Sequence, residues 1–272
     1  MTDEDLLSTT ENNVRWLTIN RPDSGNAITP DVRNRIIDHL AEANESYDIR
    51  AVVITASGEK HFCTGADLRA GGAQPPPKPE GMPERVTGDA SRMIRSGIQR
   101  LIGGILDCEK PVIAAVNGTA AGGGAQIVMA CDLAVAADNA RLIQVFVRRG
   151  LIPDGGGAYL LPRVVGMKKA KELVFFGDDV NADEAERLGL YNKVVPQAEL
   201  HATAKEWAER LASGPTRTIG YAKRLLNQSP DVDRATSFEQ ESHLVELVTA
   251  TEDCMEGRMS FMERRDPEFK GW

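Results

Sequence analysis

Residues 111–138 read PVIAAVNGTAAGGGAQIVMACDLAVAAD. The opening PVIAAVNG is almost wholly apolar and ends on glycine, the pattern of a strand buried on both faces. LAVAAD (133–138) returns to that pattern, and AQIVMACD between them reads as helix. A strand, a glycine turn, a helix and a second strand make an α/β unit.

The same alternation extends in both directions. VRWLTIN (14–20) has the period of a strand and runs into RPDSGNAITP, a loop rich in turn formers. Thr29 and Pro30 start a helix with Thr29 as N-cap, burying Val32, Ile36, Ile37 and Leu40. AVVITASG (51–58) is a second buried strand, followed by HFCTGADLRAGG. Residues 71–89 hold five prolines and four glycines, which suits a surface loop or a lid beside a site. SRMIRSGIQRLIGGILDCEK (91–110) predicts one helix with Met93, Ile94, Ile98, Leu101, Ile102 and Ile105 on its buried side. KKAKELVFFG, NADEAERLG and LYNKVVP (190–196) give helix, helix and strand, and 198–228 and 234–264 are helical. The expected organisation is an α/β core over 1–196 and a helical region over 197–272, with no linker between independent domains.

Composition narrows the function. The chain has 272 residues, 42% hydrophobic and 26% charged, which suits a globular protein able to bury roughly 70–75% of its unfolded surface. A net charge of −8 argues against nucleic acid and anionic membrane as partners. No apolar run approaches the roughly 18 residues of a membrane span. The acidic N-terminus MTDEDLLSTTENN is unlike a secretory or transit signal, so a cytoplasmic protein is expected. Cys63, Cys108, Cys131 and Cys254 have no CxxC spacing and read as reduced thiols. His39, His61, His201 and His243 form no HExxH or HxxxH pair, so no metal site is expected.

Two segments put small residues where a strand gives way to a loop or helix: CTGADL (63–68) and TAAGGGAQ (119–126). Glycine permits close backbone approach, and N–H groups at such turns can converge on negative charge. Two of them from different segments would form an oxyanion hole for a carbonyl becoming an enolate; tight strand–helix packing explains the same glycines. GLIPDGGG (150–157) raises a further question. Its Asp154 is either the N-cap of a helix beginning at GGGAY or a catalytic base.

HFCTGADL, KPVIAAVNGTAAGGGAQIVMACDLAVAAD, GLIPDGGGAYLLPRVVG and GDDVNADEAERLGLYNKVVP occur in the order and at the spacing of the crotonase superfamily, the enoyl-CoA hydratases and isomerases. The resemblance runs from about residue 14 to the C-terminal EGRMSFMERRDPEFKGW. It implies an α/β fold of ββα repeats wound into a ClpP-like spiral, with a C-terminal helical region used in trimerisation. It also implies a homotrimer or a hexamer of paired trimers, and an acyl-CoA thioester substrate with no separate cofactor. The matched oxyanion-hole donors are the N–H groups of Ala66 and Gly123. The peptide at Ala66, Asp67 and Leu68 would run along CoA, with Ala27 of the GNAI loop as a further candidate for that contact.

The departures from the family pattern carry the finer reading. In the hydratases two glutamates activate a water; here the matching positions are Gln126 and Phe146. A carboxamide cannot take up a proton at neutral pH, and a phenyl ring makes an apolar wall. Asp154 instead matches the aspartate of certain family isomerases, such as the phenylacetate-pathway ring-opening isomerase and the dienoyl-CoA isomerases. An isomerase needs one carboxylate, whose pKa an apolar pocket supplied by Phe146 and Ile152 would raise. The expected activity is double-bond isomerisation. The alternatives are a hydratase with a non-standard base and a non-catalytic acyl-CoA-binding member. Arg148 and Arg149 read as solvated charges or as contacts to the CoA phosphates.

Overall fold

The structure, a computed structural model, describes residues 3–67, 78–84 and 86–272. Its first element is a hairpin of β1 (Leu6–Glu11) and β2 (Val14–Ile19), paired antiparallel across Asn12 and Asn13. Both asparagines have positive φ, 51° and 62°, the conformation a two-residue hairpin turn demands and asparagine tolerates. β1 buries only Leu6, so its composition reads as a polar terminus rather than a strand.

α1 (Pro30–Glu45) starts as predicted, with Thr29 Oγ1 accepting from the Val32 N–H at 3.2 Å. β3 (Ala51–Ala56) and β4 (His61–Cys63) follow, then α2 (Asp89–Ser96) and α3 (Ile98–Leu106). The single helix expected over 91–110 is therefore two. Gly97 leaves helical dihedrals (φ −101°, ψ −107°), and a Cβ there would lie 2.8 Å from Arg33 Nη1. The break turns Met93 into solvent, while Leu101, Ile102 and Ile105 keep the core face.

The chain continues through β5 (Val112–Val116), β6 (Thr119–Ala121), α4 (Gly123–Ala130), β7 (Leu133–Ala137) and β8 (Arg141–Ile143). α5 (Gly157–Phe176) kinks at Gly166, and β9 (Asp179–Asn181), α6 (Ala182–Arg187) and β10 (Lys193–Val195) come after it. Four helices end the chain: α7 (Leu200–Ala212), α8 (Thr216–Gln228), α9 (Arg234–Thr249) and α10 (Glu252–Glu263).

The strands form two sheets, ordered β1-β2-β3-β5-β7-β10 and β4-β6-β8-β9. From β2 onward the first sheet is parallel. β3–β4, β5–β6 and β7–β8 each place one strand in the first sheet and the next in the second before a helical segment. Repetition of that ββα unit winds the chain into the expected spiral.

Period-two alternation divides the first sheet between two cores. Val52, Ile54, Val112, Ala114 and Ala134 join the main core with α1, α3 and α4. Val53, Ile113, Ala115 and Val135 face the other way, against Leu200, Ala204, Ala208 and Ala212 of α7. Burial on both faces explains the continuous apolar runs of these strands. Among the described residues no helix is long and apolar enough to cross a membrane.

Candidate active site

The end of β4 and the start of α4 meet at glycine. A Cβ on Gly124 would sit 2.0 Å from the Cys63 carbonyl oxygen, and one on Gly65 (φ +103°) would sit 3.4 Å from Gly123 N. Only side-chain-free residues let these backbones approach so closely. The result brings the two expected donors together: a Cβ on Gly123 would lie 4.0 Å from Ala66 N. Gly123 is the first residue of α4 and its N–H lacks an intrahelical acceptor. Among the described residues neither the Ala66 nor the Gly123 N–H donates to a protein group. Two such N–H groups on facing segments can hold a carbonyl oxygen that gains negative charge.

A second loop aligns the first. The Ile28 N–H donates to Gly65 O at 2.8 Å, and the Asp67 N–H donates to Ile28 O at 3.0 Å. This parallel bridge fixes the GNAI loop beside CTGAD. Asn26, buried at φ +53°, donates through Nδ2 to Ser57 O and His61 O at 2.9 and 2.6 Å. Arg21 ties both loops: it donates to Ala27 O at 2.5 Å and to Asp67 Oδ2 at 2.8 Å. Ala27 itself is buried. The Asp67 carboxylate is thus engaged by Arg21. Leu68 lies outside the described residues.

Asp154 stands in a turn built by Gly155 (φ +54°) and Gly156 (φ +82°). The N-cap of α5 is Gly156, and no side chain caps it, so the carboxylate of Asp154 does not serve the helix as a cap. It is half-buried. Desolvation raises its pKa above the ordinary aspartate value, with its own backbone N–H pulling the other way.

Three glycines, Gly155, Gly156 and Gly157, follow Asp154. They make room for neighbouring side chains. A Cβ on Gly155 would meet Ile98 Cγ1 at 2.8 Å, and one on Gly157 would meet Gln126 Nε2 at 2.4 Å. Ile98 also borders Gly123, with its Cδ1 3.6 Å from where a Cβ there would stand. One isoleucine therefore spans the donor segment and the Asp154 turn. Gln126 is fully buried and donates from Nε2 to Gln144 Oε1 at 3.3 Å. Phe146 is buried too, its ring tip 3.9 Å from a Cβ placed on Gly122. The expected apolar wall at Ile152 is absent: that side chain is 82% exposed. The turn runs outward before Pro153, so Ile98 rather than Ile152 flanks the acid.

Sequence reading gave no role in the site to Arg21, Gln144 or Ile98. Arg21 sits among turn formers and shows no period. Gln144 and Ile98 act through contacts from distant segments, which spacing cannot reveal. Arg148 pairs with Asp179 at 3.1 Å on the exposed surface. Among the described residues no group of three His, Cys, Asp or Glu side chains could hold a metal ion.

Residues 9–272 match the family described as enoyl-CoA hydratase/isomerase. A crotonyl-CoA hydratase of Syntrophomonas wolfei is 36% identical over 98% of each chain. The 1,2-epoxyphenylacetyl-CoA isomerase of Escherichia coli is 32% identical over 98% of this chain and 99% of its own. The crystal structure of an enoyl-CoA hydratase from Bacillus anthracis superposes with a TM-score of 0.88 at 33% identity, covering 98% of this chain and 100% of that one.

Proposed function

The chain belongs to the enoyl-CoA hydratase/isomerase family, and from that premise we propose that it is an enoyl-CoA isomerase in which Asp154 moves the proton. Ala66 N–H and Gly123 N–H receive the thioester oxygen of an acyl-CoA. Asp154 takes a proton from one carbon of the acyl chain, and the C–H electron pair passes through the conjugated system to that oxygen as a dienolate. The acid then returns a proton to another carbon, which relocates the double bond with no net gain or loss of atoms. No cofactor enters this sequence.

The observation that carries the reading is the state of three positions. Gln126 is a neutral amide turned toward Gln144, and Phe146 is a buried phenyl ring. Asp154 is a half-buried carboxylate with a raised pKa and no capping duty. A general base needs an elevated pKa within reach of substrate, and of these three only Asp154 can be one. The test is turnover of a 3-enoyl-CoA in deuterated water. The 2-enoyl product should carry solvent label, and Asp154→Asn should lose activity; full activity in that variant would reject the role.

A second reading is favoured by the 36% identity to a protein named crotonyl-CoA hydratase. In it Asp154 activates water for addition across the double bond. Formation of 3-hydroxyacyl-CoA from crotonyl-CoA would establish it. Binding of both thioesters without turnover of either would leave acyl-CoA binding as the function.

The proposal extends to assembly as a homotrimer or a pair of trimers. Phe238, Leu247, Met255, Phe261 and Met262 of α9 and α10 are exposed, and large apolar side chains left in water favour association. Light scattering of the eluted protein gives the mass: a monomer would reject the assembly.

A further inference from the structure

α3 begins at the candidate active site with Ile98 and ends elsewhere. Leu106 and the following Asp107–Lys110 line a second cavity of about 360 Å³, closed on its other side by α8. That size falls in the range of roughly 300–1,000 Å³ typical of small-molecule sites. Its charge runs against the rest of the chain. Lys110, Arg217, Lys223 and Arg224 line it with two acids, Asp107 and Glu109, in a protein of net charge −8.

Two of these cations already have partners. The Lys223 ammonium donates to Ile105 O at 2.9 Å and pairs with Asp132 at 2.8 Å. Arg217 lies 3.6 Å from Glu109. Lys110 is different. It is 7% exposed, yet among the described residues its ammonium makes no hydrogen bond or ion pair. The stem of Lys110 is packed, but its ammonium still reaches solvent, so it is open to an anion that enters the cavity. Burial, and then the charge of Arg217, lower the Lys110 pKa from the lysine range; a bound anion would oppose both.

The start of α8 supplies a third element. Its N-cap is Pro215, which contributes no side-chain acceptor, so the N–H groups of the first turn are left for an outside acceptor. Thr216 and Arg217 of that turn line the same cavity as Lys110. A positive helix end, a lysine on the cavity wall without an ion-pair partner and a neighbouring guanidinium together fit an anion.

We propose that this cavity binds a phosphate-bearing small molecule, held by Lys110, Arg217 and the N-terminus of α8, at a site distinct from the one that receives acyl-CoA. The phosphoryl group can come from inorganic phosphate or from a nucleotide, and the experiment separates these sources.

Calorimetric titration of the full chain with inorganic phosphate and with ATP, at constant ionic strength, should give saturable binding. Lys110→Met should weaken it by about tenfold or more, the value of one charge-assisted hydrogen bond. Arg217→Gln alters an already half-exposed side chain and guards against misfolding of the first variant, which circular dichroism would report; it should weaken binding too. Absence of saturable heat with both ligands, or unchanged affinity in both variants, overturns the proposal. Titration repeated in saturating CoA tests the separate site: retained binding supports it, and displacement by CoA overturns it.

Discussion

Gln126 and Gly157 are in direct contact, so close that a Cβ on Gly157 would lie 2.4 Å from Gln126 Nε2 and 3.0 Å from its Cδ. The amide is fully buried and hydrogen-bonded to Gln144, so it has nowhere to retreat. Gly157→Ala should therefore overpack the start of α5 and cost about 1–3 kcal/mol in denaturant unfolding. Shortening the amide with Gln126→Ala in the same chain should recover part of that loss. A double-mutant cycle reads the coupling, and strict additivity would show that the two groups do not press on one another.

Titration of Asp154 gives a prediction in two directions. Desolvation raises its pKa in the folded protein, so the protonated carboxyl favours the fold at low pH. That contribution is lost as pH rises through the folded value, because the buried charge then opposes folding. Asp154→Asn should accordingly melt higher than wild type at neutral pH, with the gap closing on acidification. Activity follows the opposite course, since a base must be ionised. The acid limb of kcat/KM should fall at a pH above the ordinary aspartate value. A limb at or below that value would remove Asp154 as the group being read.

Arg21 links the two loops flanking the donor segment, through Ala27 O and Asp67 Oδ2. Arg21→Met removes both bonds and leaves the backbone bridge at Ile28 and the bonds from Thr64 to Gly25 O to hold the loops together. We expect KM for an acyl-CoA to rise by roughly tenfold, since one charged hydrogen bond is worth about 1.5–3 kcal/mol. kcat should change less, because the variant leaves Asp154 in place. Arg21→Lys should recover little, because one ammonium does not reproduce the fork of a guanidinium. A fall in kcat at constant KM would instead give Arg21 a part in the chemistry.

Legibility in the sequence followed the range of the interaction. The Thr29 cap, the buried strands around residues 51–56 and 112–116, and the glycines before α4 all depend on neighbours a few positions away. Their periods and residue types were readable for that reason. β1 was hidden because it is an edge strand with one buried residue, and only the Asn12–Asn13 pair marks it. The break at Gly97 was hidden because a single glycine does not interrupt the apolar period, and its neighbour Arg33 comes from another helix. The turn at Asp154 shows the same limit inside the site. Its glycines were visible, but their neighbours, Gln126 and Ile98, belong to segments brought there by the fold. Closeness of Ala66 to Gly123 could be expected from the family resemblance alone, since nothing in either motif points to the other.

The buried pair of Lys223 and Asp132 shows how the C-terminal helices are fastened to the spiral. Asp132 Oδ2 accepts from the Val112 N–H at 2.7 Å and faces Lys223 Nζ at 2.8 Å. The same ammonium donates to the carbonyls of Ile105 and Lys110 at 2.9 and 3.3 Å. One side chain of α8 thus satisfies groups at the end of α3 and the starts of β5 and β7. Burial raises the Asp132 pKa and Lys223 pulls it back. Lys223→Met leaves that carboxylate without its counter-charge and two carbonyls without that donor, a loss of about 3–5 kcal/mol when one partner of a buried pair is removed. Lys223→Met with Asp132→Asn removes the uncompensated charge as well and should be the more stable of the two in urea. Equal stability of the single and double variants would mean that the unpaired Asp132 charge costs nothing and that the ion pair does not fasten α8.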